Sequence, residues 1–302
     1  MSTDKNKRIE RNESSEGTER TERTERTEGA EQLVLADSHT HLEFPQFDPD
    51  RAEVFERAWA SGVRYLVAIG SASGPDRLRA GLEMAEGRDW VFPTIGIHPH
   101  EARLATEEHF AELAQLAAHP RVVGVGEIGL DYHYDHSPRD VQQTVFRRQL
   151  ELAEEHRLPV VIHCREAWPD CLRILEEQWK RTGLGGIFHC FSGSFEDAQR
   201  GLDAGFYISF AGNLTFPKAE DLRALAAQIP RDRLLIETDC PFLAPQPKRG
   251  KRNEPAFVRF VAERLGAILE VSASEAAAAT TGNFLEFLRK TRRGGPAPAS
   301  GP

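Results

Sequence analysis

The chain has 302 residues, 40% of them hydrophobic, and a formal net charge of −9 at pH 7. That length suits one barrel-sized domain of roughly 250 residues with a large buried core. The acidic balance argues against a broad electropositive surface for duplex DNA, although bound metal ions could still bring positive charge to a phosphate.

The composition predicts neither a membrane nor a secretory role. No apolar run approaches the ~20 residues of a membrane span, and the N-terminal segment is polar from Met1 to Glu31. The cysteines, which follow no CxxC spacing, are Cys164, Cys171, Cys190 and Cys240. We therefore expect a cytoplasmic protein with reduced thiols, no membrane partner and, by default, a monomeric state.

Both ends of the chain differ in composition from its centre. Residues 1–31 repeat the triplet Thr-Glu-Arg and hold one large apolar residue after Met1, Ile9. Such a segment has no face to bury against a core, and residues 289–302 are basic and then rich in Gly, Pro and Ala. We predict disordered tails at 1–31 and 289–302 around one barrel domain at 32–288.

Strand-like and helix-like segments alternate along that domain. Short runs rich in Val, Ile, Leu and Phe predict strands buried on both faces at 33–36, 63–69, 90–95, 122–125, 159–162, 186–188, 206–209 and 234–236. Predicted helices follow at 50–61, 75–86, 106–118, 139–157, 167–181, 195–204, 218–228 and 255–267, with one more at 273–288. Eight such units predict an α/β fold, a (β/α)8 TIM barrel whose extra C-terminal helix packs outside. The competing architecture, a doubly wound open sheet, would gather ligands at one switch point instead of around a ring.

Polar motifs follow six of the predicted strands. They are Asp37-Ser38-His39-Thr40-His41, Gly96-Ile97-His98-Pro99-His100, Gly126-Glu127-Ile128-Gly129-Leu130-Asp131, His163-Cys164-Arg165, His189-Cys190-Phe191-Ser192-Gly193 and Glu237-Thr238-Asp239-Cys240-Pro241. In a closed parallel barrel these strand ends share the rim that carries the active site.

The first motif has the spacing of a metal-binding pair. His39 and His41 are two residues apart on a strand, so both imidazoles point to the same face and can hold one metal ion. Asp37 lies two residues earlier and is expected on that face too. Asp239 ends the eighth strand, beside the first in a closed barrel, and can ligate a metal and take a proton from the attacking water.

Further ligands are predicted at the ends of the fourth, fifth and sixth strands. Glu127 lies between glycines, and its two oxygens can bridge two cations; the alternative is a rim glutamate paired with an arginine. His163 and His189 end successive strands and are interpreted as ligands of a second metal. Nitrogen and oxygen ligands without thiolate suit Zn²⁺, Mn²⁺ or Mg²⁺. The cysteines that follow the ligands are expected to face the helices as small buried groups.

Taken in order, the six motifs resemble those of the TatD family of metal-dependent deoxyribonucleases, over about residues 33–288. The resemblance implies a TIM barrel, two divalent metal ions and hydrolysis of DNA phosphodiesters, often 3′→5′ on single strands. It implies that His39, His41, Glu127 and Asp239 hold the first metal and that Glu127, His163 and His189 hold the second. Related amidohydrolases often carry a carboxylated lysine where this chain has Glu127, which favours the TatD-like branch.

Other polar residues of the rim are candidates for binding the substrate. His98 and, less directly, His100 could donate to a phosphate oxygen or support the ligands. Arg165 could stabilise phosphoryl charge or form a structural ion pair. Lys248, Arg249, Lys251 and Arg252 form a basic cluster after the eighth strand that could contact a nucleic-acid backbone. Phe216 and Phe242 could stack on bases or pack in the core.

Three classes of function are compatible with this pattern. The first is a two-metal nuclease acting on ends of DNA, in which Asp239 and Glu127 are the catalytic carboxylates. The second is a metal-dependent deacylase or amidase acting on aminoacyl-tRNA or a small molecule, because tRNA would also satisfy the basic cluster. The third, a binding protein on an inactive barrel, is disfavoured because every ligand position is filled. Family analogy alone does not identify the substrate.

Overall fold

A computed structural model describes residues 33–71 and 74–291, so the predicted tail at 1–31 and most of that at 289–302 lie outside the described residues. Eight parallel strands pair in chain order. They are β1 Leu35–Thr40, β2 Val63–Ala68, β3 Val91–Ile95, β4 Gly124–Asp131, β5 Val160–Arg165, β6 Gly186–Phe188, β7 Phe206–Phe210 and β8 Leu234–Ile236.

The last strand returns to the first, which closes the barrel at its C-terminal end. Thr40 bridges Cys240 in parallel, and the backbone N–H of Asp239 donates to the carbonyl of His39 at 3.0 Å. The N–H of His41 donates to the carbonyl of Cys240 at 2.9 Å. The structure therefore has the predicted (β/α)8 barrel, and the open doubly wound sheet is excluded.

Helices alternate with the strands as the sequence predicts. They are α1 Arg51–Ala60, α2 Ala80–Ala85, α3 Glu107–Ala117, α4 Arg139–Glu155, α5 Trp168–Ile174, α6 Phe195–Asp203, α7 Glu220–Ala226, α8 Val258–Leu269 and α9 Ala273–Lys290. Capping boxes at Thr106, Ser194 and Ser272 satisfy free backbone N–H groups at the starts of α3, α6 and α9. No helix within 33–71 or 74–291 is long and apolar enough to cross a membrane.

Three strands run further than their apolar residues predict. β1, β4 and β5 continue into the polar motifs. The hydrogen-bonded ladder between β4 and β5, for example, extends to the pair Asp131 and Arg165. The side chains of Asp37 and His39 on β1, and of Glu127 and Asp131 on β4, are buried although polar. The strand ends thus hold polar groups at fixed positions on the rim.

The C-terminal helix corrects one prediction, because α9 does not simply pack outside the barrel. Thr281 Oγ1 of α9 donates to the carbonyl of Val34, just before β1, and Asn283 Nδ2 donates to the carbonyl of Leu234 at the start of β8. Phe284 and Phe287 join the cluster of side chains that fills the barrel interior. α9 therefore closes the N-terminal end of the barrel, opposite the polar motifs.

Truncating Phe284 should destabilise the fold without touching the polar rim. Its ring is fully buried and packs 6.0 Å from the ring of Phe92 and 6.3 Å from that of Tyr65. Phe284→Ala is expected to lower the free energy of unfolding by about 3–5 kcal/mol, measured by chemical denaturation. Exposed Phe195→Ala is the control and should change it by less than about 0.5 kcal/mol. A small loss of stability in Phe284→Ala would contradict the assigned role of Phe284 in closing the N-terminal end of the barrel.

Candidate metal centre

All six predicted ligands meet at the C-terminal rim of the barrel. Potential ligand atoms within each group of three lie within 4.8 Å of one another. Three of the four groups consist of predicted ligands alone, namely His39, His41 and Glu127; Glu127, His163 and His189; and His39, His189 and Asp239, and the fourth is His98, His100 and His163. The strand ends that the sequence analysis selected therefore converge on one site.

Glu127 lies at the centre of this cluster, and each of its oxygens faces a different pair of histidines. Its Oε2 is 3.3 Å from His39 Nε2 and 3.5 Å from His41 Nε2. Its Oε1 is 2.7 Å from His163 Nδ1 and 2.8 Å from His189 Nε2. The backbone N–H of Glu127 donates to Ser71 Oγ at 2.8 Å, which fixes the strand there. This arrangement suits a carboxylate that bridges two cations.

Asp239 approaches the cluster from the end of β8. Its Oδ1 lies 3.5 Å from His41 Nε2 and 3.8 Å from His39 Nε2. Burial opposes its ionisation, but the hydrogen bond from His41 and the charges of His189, His39 and His41 outweigh burial and lower the pKa of Asp239. Asp239 is therefore a carboxylate at neutral pH, available as a ligand or proton acceptor.

A second layer of carboxylates orients three of the four histidines. Each carboxylate accepts a hydrogen bond from the ring nitrogen that points away from the cluster. The pairs are His41 Nδ1 with Glu43 Oε1 at 3.2 Å, His163 Nε2 with Asp131 Oδ2 at 3.0 Å and His189 Nδ1 with Glu237 Oε1 at 3.1 Å. An imidazole that donates its outer N–H keeps a lone pair on its inner nitrogen. When their inner nitrogens are deprotonated, these three imidazoles therefore aim their lone pairs at the centre.

The contacts between inner nitrogens show that the donor set fits metal ions. His39 Nε2 and His41 Nε2 are 3.1 Å apart, and His163 Nδ1 and His189 Nε2 are 3.3 Å apart. With the outer nitrogens of His163 and His189 donating to carboxylates, their facing lone pairs repel each other unless a cation or proton lies between them. Imidazole nitrogens and carboxylate oxygens without thiolate match Zn²⁺, Mn²⁺ and similar divalent ions.

The electrostatics of the cluster also favour the binding of cations. Burial disfavours the charged form of Glu127, but its electrostatic interactions with His189, His98 and His39 and the hydrogen bond from His163 outweigh burial and hold the pKa of Glu127 well below its usual range. Burial also opposes charge on His41, yet Glu43, Asp239 and Glu127 raise its pKa to about 10. The site therefore attracts positive charge, which protons supply when no metal is bound.

Asp131→Asn should weaken metal binding because it would move the proton of the His163 ring from Nε2 to Nδ1. Asp131 Oδ2 faces His163 Nε2, and its Oδ1 accepts the backbone N–H groups of His133 and Tyr134. An amide N–H facing His163 Nε2 would favour the tautomer with the proton on Nδ1, the nitrogen that faces Glu127. We expect about 10–100-fold weaker binding of one metal equivalent in a calorimetric titration.

The matched control for that variant lies in the same loop. Asp135 is exposed, and its carboxylate pairs with Arg139 at 2.9 Å and not with any predicted ligand. Asp135→Asn should leave both metal affinities unchanged within about twofold. Equal affinities in Asp131→Asn and the wild type would contradict the assigned role of Asp131.

His98 and His100 also lie at the cluster. His98 Nδ1 accepts the backbone N–H of His100 at 3.1 Å, and its Nε2 is 3.4 Å from Glu127 Oε1. Burial is the main cause that lowers the pKa of His98 to about 4, so this ring is neutral and carries its proton on Nε2. His100 Nε2 lies 2.9 Å from Asp131 Oδ2, the oxygen that also faces His163.

The cluster forms the floor of a cavity of about 660 Å³, which Arg165 also lines. The guanidinium carbon of Arg165 lies 4.8 Å from the centre of the Tyr134 ring. Within the described residues Arg165 forms no salt bridge, in contrast to the ion pair that the sequence analysis left open. Its charge therefore faces the cavity mouth without a carboxylate partner among those residues.

The four basic residues after β8 are not brought into the cavity. Arg252 pairs with Asp50 at 2.8 Å, and Arg249 lies 4.3 Å from the centre of the Phe216 ring. Lys248 Nζ lies 5.1 Å from the centre of the Phe257 ring, whereas Lys251 is exposed. Phe216 does not line the cavity, whereas Phe242, at 48% exposure, does.

Two expectations about orientation are corrected. Asp37 does not face the ligands: its carboxylate accepts from Thr238 N and Thr238 Oγ1 at 2.9 and 2.6 Å, and burial raises its pKa to about 8. Cys190 lines the cavity instead of facing the helices, because its φ of 41° leaves the extended conformation in which neighbouring side chains alternate. Burial raises the pKa of the Cys190 thiol well above its usual range, so it is not a thiolate.

Sequence reasoning missed the second layer of carboxylates. Asp131 lies four residues after Glu127 on β4, so same-face spacing was a usable signal for Asp131. Glu237 and Asp239 follow the end of β8 at Ile236, and Asp239 has a φ of 54°, so the alternation of a strand does not relate their side chains. Glu43 follows β1 outside any strand, and its contact with His41 Nδ1 depends on the turn of the chain after Leu42. No spacing rule would have identified Glu43.

A closed parallel barrel with a cluster of nitrogen and oxygen ligands at its C-terminal rim is the arrangement of a metal-dependent hydrolase on a TIM barrel. The family model described as TatD related DNase matches residues 36–289. The chain belongs to this family, which confirms the resemblance seen in the motifs and makes the protein a TatD-family metal-dependent hydrolase.

Individual relatives agree with the family assignment. An uncharacterized metal-dependent hydrolase YabD of Bacillus subtilis is 46% identical, covering 85% of this chain and 99% of that protein. A Rahnella protein named 3′-5′ ssDNA/RNA exonuclease TatD is 36% identical, covering 74% and 87%. The crystal structure of YJJV, a TatD homologue of Escherichia coli, superposes with a TM-score of 0.77 at 29% identity, covering 84% and 97%.

Proposed function

We propose that this protein is a divalent-metal-dependent nuclease that hydrolyses phosphodiester bonds of single-stranded DNA from the 3′ end. The observation that carries this proposal is Glu127, whose two oxygens face two separate pairs of histidines. The relatives named 3′-5′ ssDNA/RNA exonuclease, at 36% and 37% identity, support a nucleic-acid substrate. A cytoplasmic, monomeric protein stays a prediction.

In this proposal Glu127 would be a ligand of both metal ions. His39, His41 and Asp239 would complete the first site, and His163 and His189 would complete the second. Two such ions would lower the pKa of an attacking water and neutralise charge on the phosphodiester. The outer carboxylates hold the imidazoles in the tautomer that can ligate, so they are positioning residues.

Asp239 is the proposed proton acceptor. It is ionised, it lies beside the first pair of histidines, and it lines the cavity from which substrate approaches. A carboxylate in this place can orient a water by accepting its hydrogen bond and can remove its proton as the bond to phosphorus forms. Glu127, held between four imidazoles, keeps its charge and its position.

Neutral and cationic donors around the cavity would bind the phosphate. His98 presents an Nε2–H toward the cluster, and the Arg165 guanidinium has no ion-pair partner among the described residues. Both would donate to non-bridging oxygens, with His100 held behind them by Asp131. Lys248, Arg249 and Lys251 stay a prediction as contacts to the nucleic-acid backbone, whereas Arg252 is engaged by Asp50.

The proposal is tested with metal-stripped protein and single-stranded DNA labelled at the 3′ or the 5′ end. Mg²⁺, Mn²⁺ or Zn²⁺ is added back, and Glu127→Ala is the control. Metal-dependent loss of nucleotides from the 3′ end, absent in the variant, is the expected result. Failure to cut DNA or RNA with any metal would overturn the nuclease proposal, and aminoacyl-tRNA would then be the next substrate to test.

A further inference from the structure

Two exposed aromatic rings stand at the mouth of the cavity. Tyr134 is 51% exposed and Phe242 is 48% exposed, and both line the cavity above the metal centre. Exposed hydrophobic side chains are ordinary when they are scattered singly, but several of them around one cavity mark a place where a ligand can bind. Among the described residues few large hydrophobic side chains are this exposed, and two of them share one cavity.

The two rings flank different halves of the metal centre. The Phe242 ring lies 6.4 Å from the ring of His41, on the side of the proposed first metal. The Tyr134 ring lies 5.4 Å from that of His100, which in turn lies 6.0 Å from the ring of His163, a proposed ligand of the second metal. A phosphodiester on the metals would therefore have an aromatic ring on each side.

Tyr134 is held in place beside the metal centre, and a guanidinium lies over its ring. Its backbone N–H donates to Asp131 Oδ1 at 2.9 Å, and the other oxygen of Asp131 holds His163. The guanidinium of Arg165, two residues after His163 on β5, lies over the Tyr134 ring. An aromatic ring beside an unpaired guanidinium offers a surface for a base and a donor for the phosphate next to it.

We propose that Tyr134 and Arg165 form a stacking site for one nucleobase next to the scissile phosphodiester, while Phe242 receives the base on the other side. This inference rests on the proposed nuclease function. Bases held on separate rings on the two sides of one phosphate are unstacked from each other and cannot pair with a complementary strand. The site therefore selects single strands by requiring unpaired nucleotides on both sides of the cut.

Variants of Tyr134 test the protein side of this proposal. Stacking contributes about 1–3 kcal/mol per base, so Tyr134→Ala should raise KM for a single-stranded oligonucleotide about tenfold or more, with kcat within about twofold. Tyr134→Phe keeps the ring and should retain the wild-type KM. Phe195→Ala removes a ring that is exposed outside the cavity and is the matched control.

Abasic substrates test the same contact without changing the protein. In a series of oligonucleotides, one abasic nucleotide is placed at successive positions on both sides of the cleavage site. For the wild type, KM should rise at one position beside the cut, by about the same factor as Tyr134→Ala raises KM for the intact oligonucleotide. In Tyr134→Ala that position should become insensitive, because the two changes remove the same contact. A misfolded variant would lose activity at every position equally and could not produce this pattern.

The outcomes separate this inference from the function on which it rests. A wild-type protein that cleaves no nucleic acid overturns the nuclease proposal. A wild-type protein that cleaves single strands, with equal abasic sensitivity in wild type and Tyr134→Ala, overturns the stacking site alone. A wild-type KM for Tyr134→Ala would have the same consequence, as would cleavage of blunt duplex ends at the single-strand rate.

Discussion

Replacing Glu127 by alanine is expected to abolish turnover, lowering kcat/KM by on the order of 10³-fold or more, and to remove at least one bound metal ion. Its oxygens lie 2.7–3.5 Å from an imidazole nitrogen of each of the four predicted histidine ligands, so removing the carboxylate affects both halves of the cluster. In the proposed two-metal site the metals would contribute several kcal/mol of transition-state stabilisation, and each 1.36 kcal/mol is tenfold in rate. Metal analysis and steady-state kinetics on the same preparation measure both effects.

Two further variants make the Glu127 result interpretable. Glu127→Gln keeps the size of the side chain but removes its charge, and we expect it to retain one metal ion with strongly reduced activity. Glu107→Ala breaks an exposed pair with Arg148 on the outer helices and should leave both metals and activity unchanged. Wild-type activity in Glu127→Ala would show that the centre does not depend on a bridging carboxylate.

The fold and the ligand cluster were largely readable because both depend on local pattern. Buried parallel strands are continuous apolar runs, so their number and order survive in the sequence. The last apolar residue of each run marks the rim, and the period of two along a strand places His39 and His41 on one face. The positions of Glu127, His163 and His189 follow from the same two rules applied to β4, β5 and β6.

Features that depend on contacts between distant segments were not readable. The ion pair between Arg252 and Asp50 joins residues that are 202 positions apart, so the basic cluster looked freer in the sequence than it is. α9 shows an ordinary amphipathic pattern, and only the position of the barrel end shows that Phe284 enters the interior. Tyr134 follows β4 in a short polar turn, where its exposure and its contact with Arg165 have no sequence signature.

Asp239→Asn should separate metal binding from proton transfer. The amide keeps an oxygen where Asp239 Oδ1 faces His41 and His39, so the fold and most of the metal should be retained. It cannot take a proton from water, and kcat should fall by about 10²–10⁴-fold, the usual contribution of general acid–base catalysis. KM should change by less than about threefold, because the proposed phosphate donors His98 and Arg165 are untouched.

A control residue on the other side of β8 distinguishes this effect from a general disturbance of that strand. Asp232 is exposed in the turn before that strand, and Asp232→Asn should have wild-type kcat and metal content. If Asp239→Asn loses metal in parallel with activity, Asp239 acts chiefly as a ligand. If it keeps both metal and near-normal kcat, the proton of the attacking water goes elsewhere. Metal content retained together with a collapsed kcat is the one result that identifies Asp239 as the proton acceptor, because only then is the metal site intact while the chemistry fails.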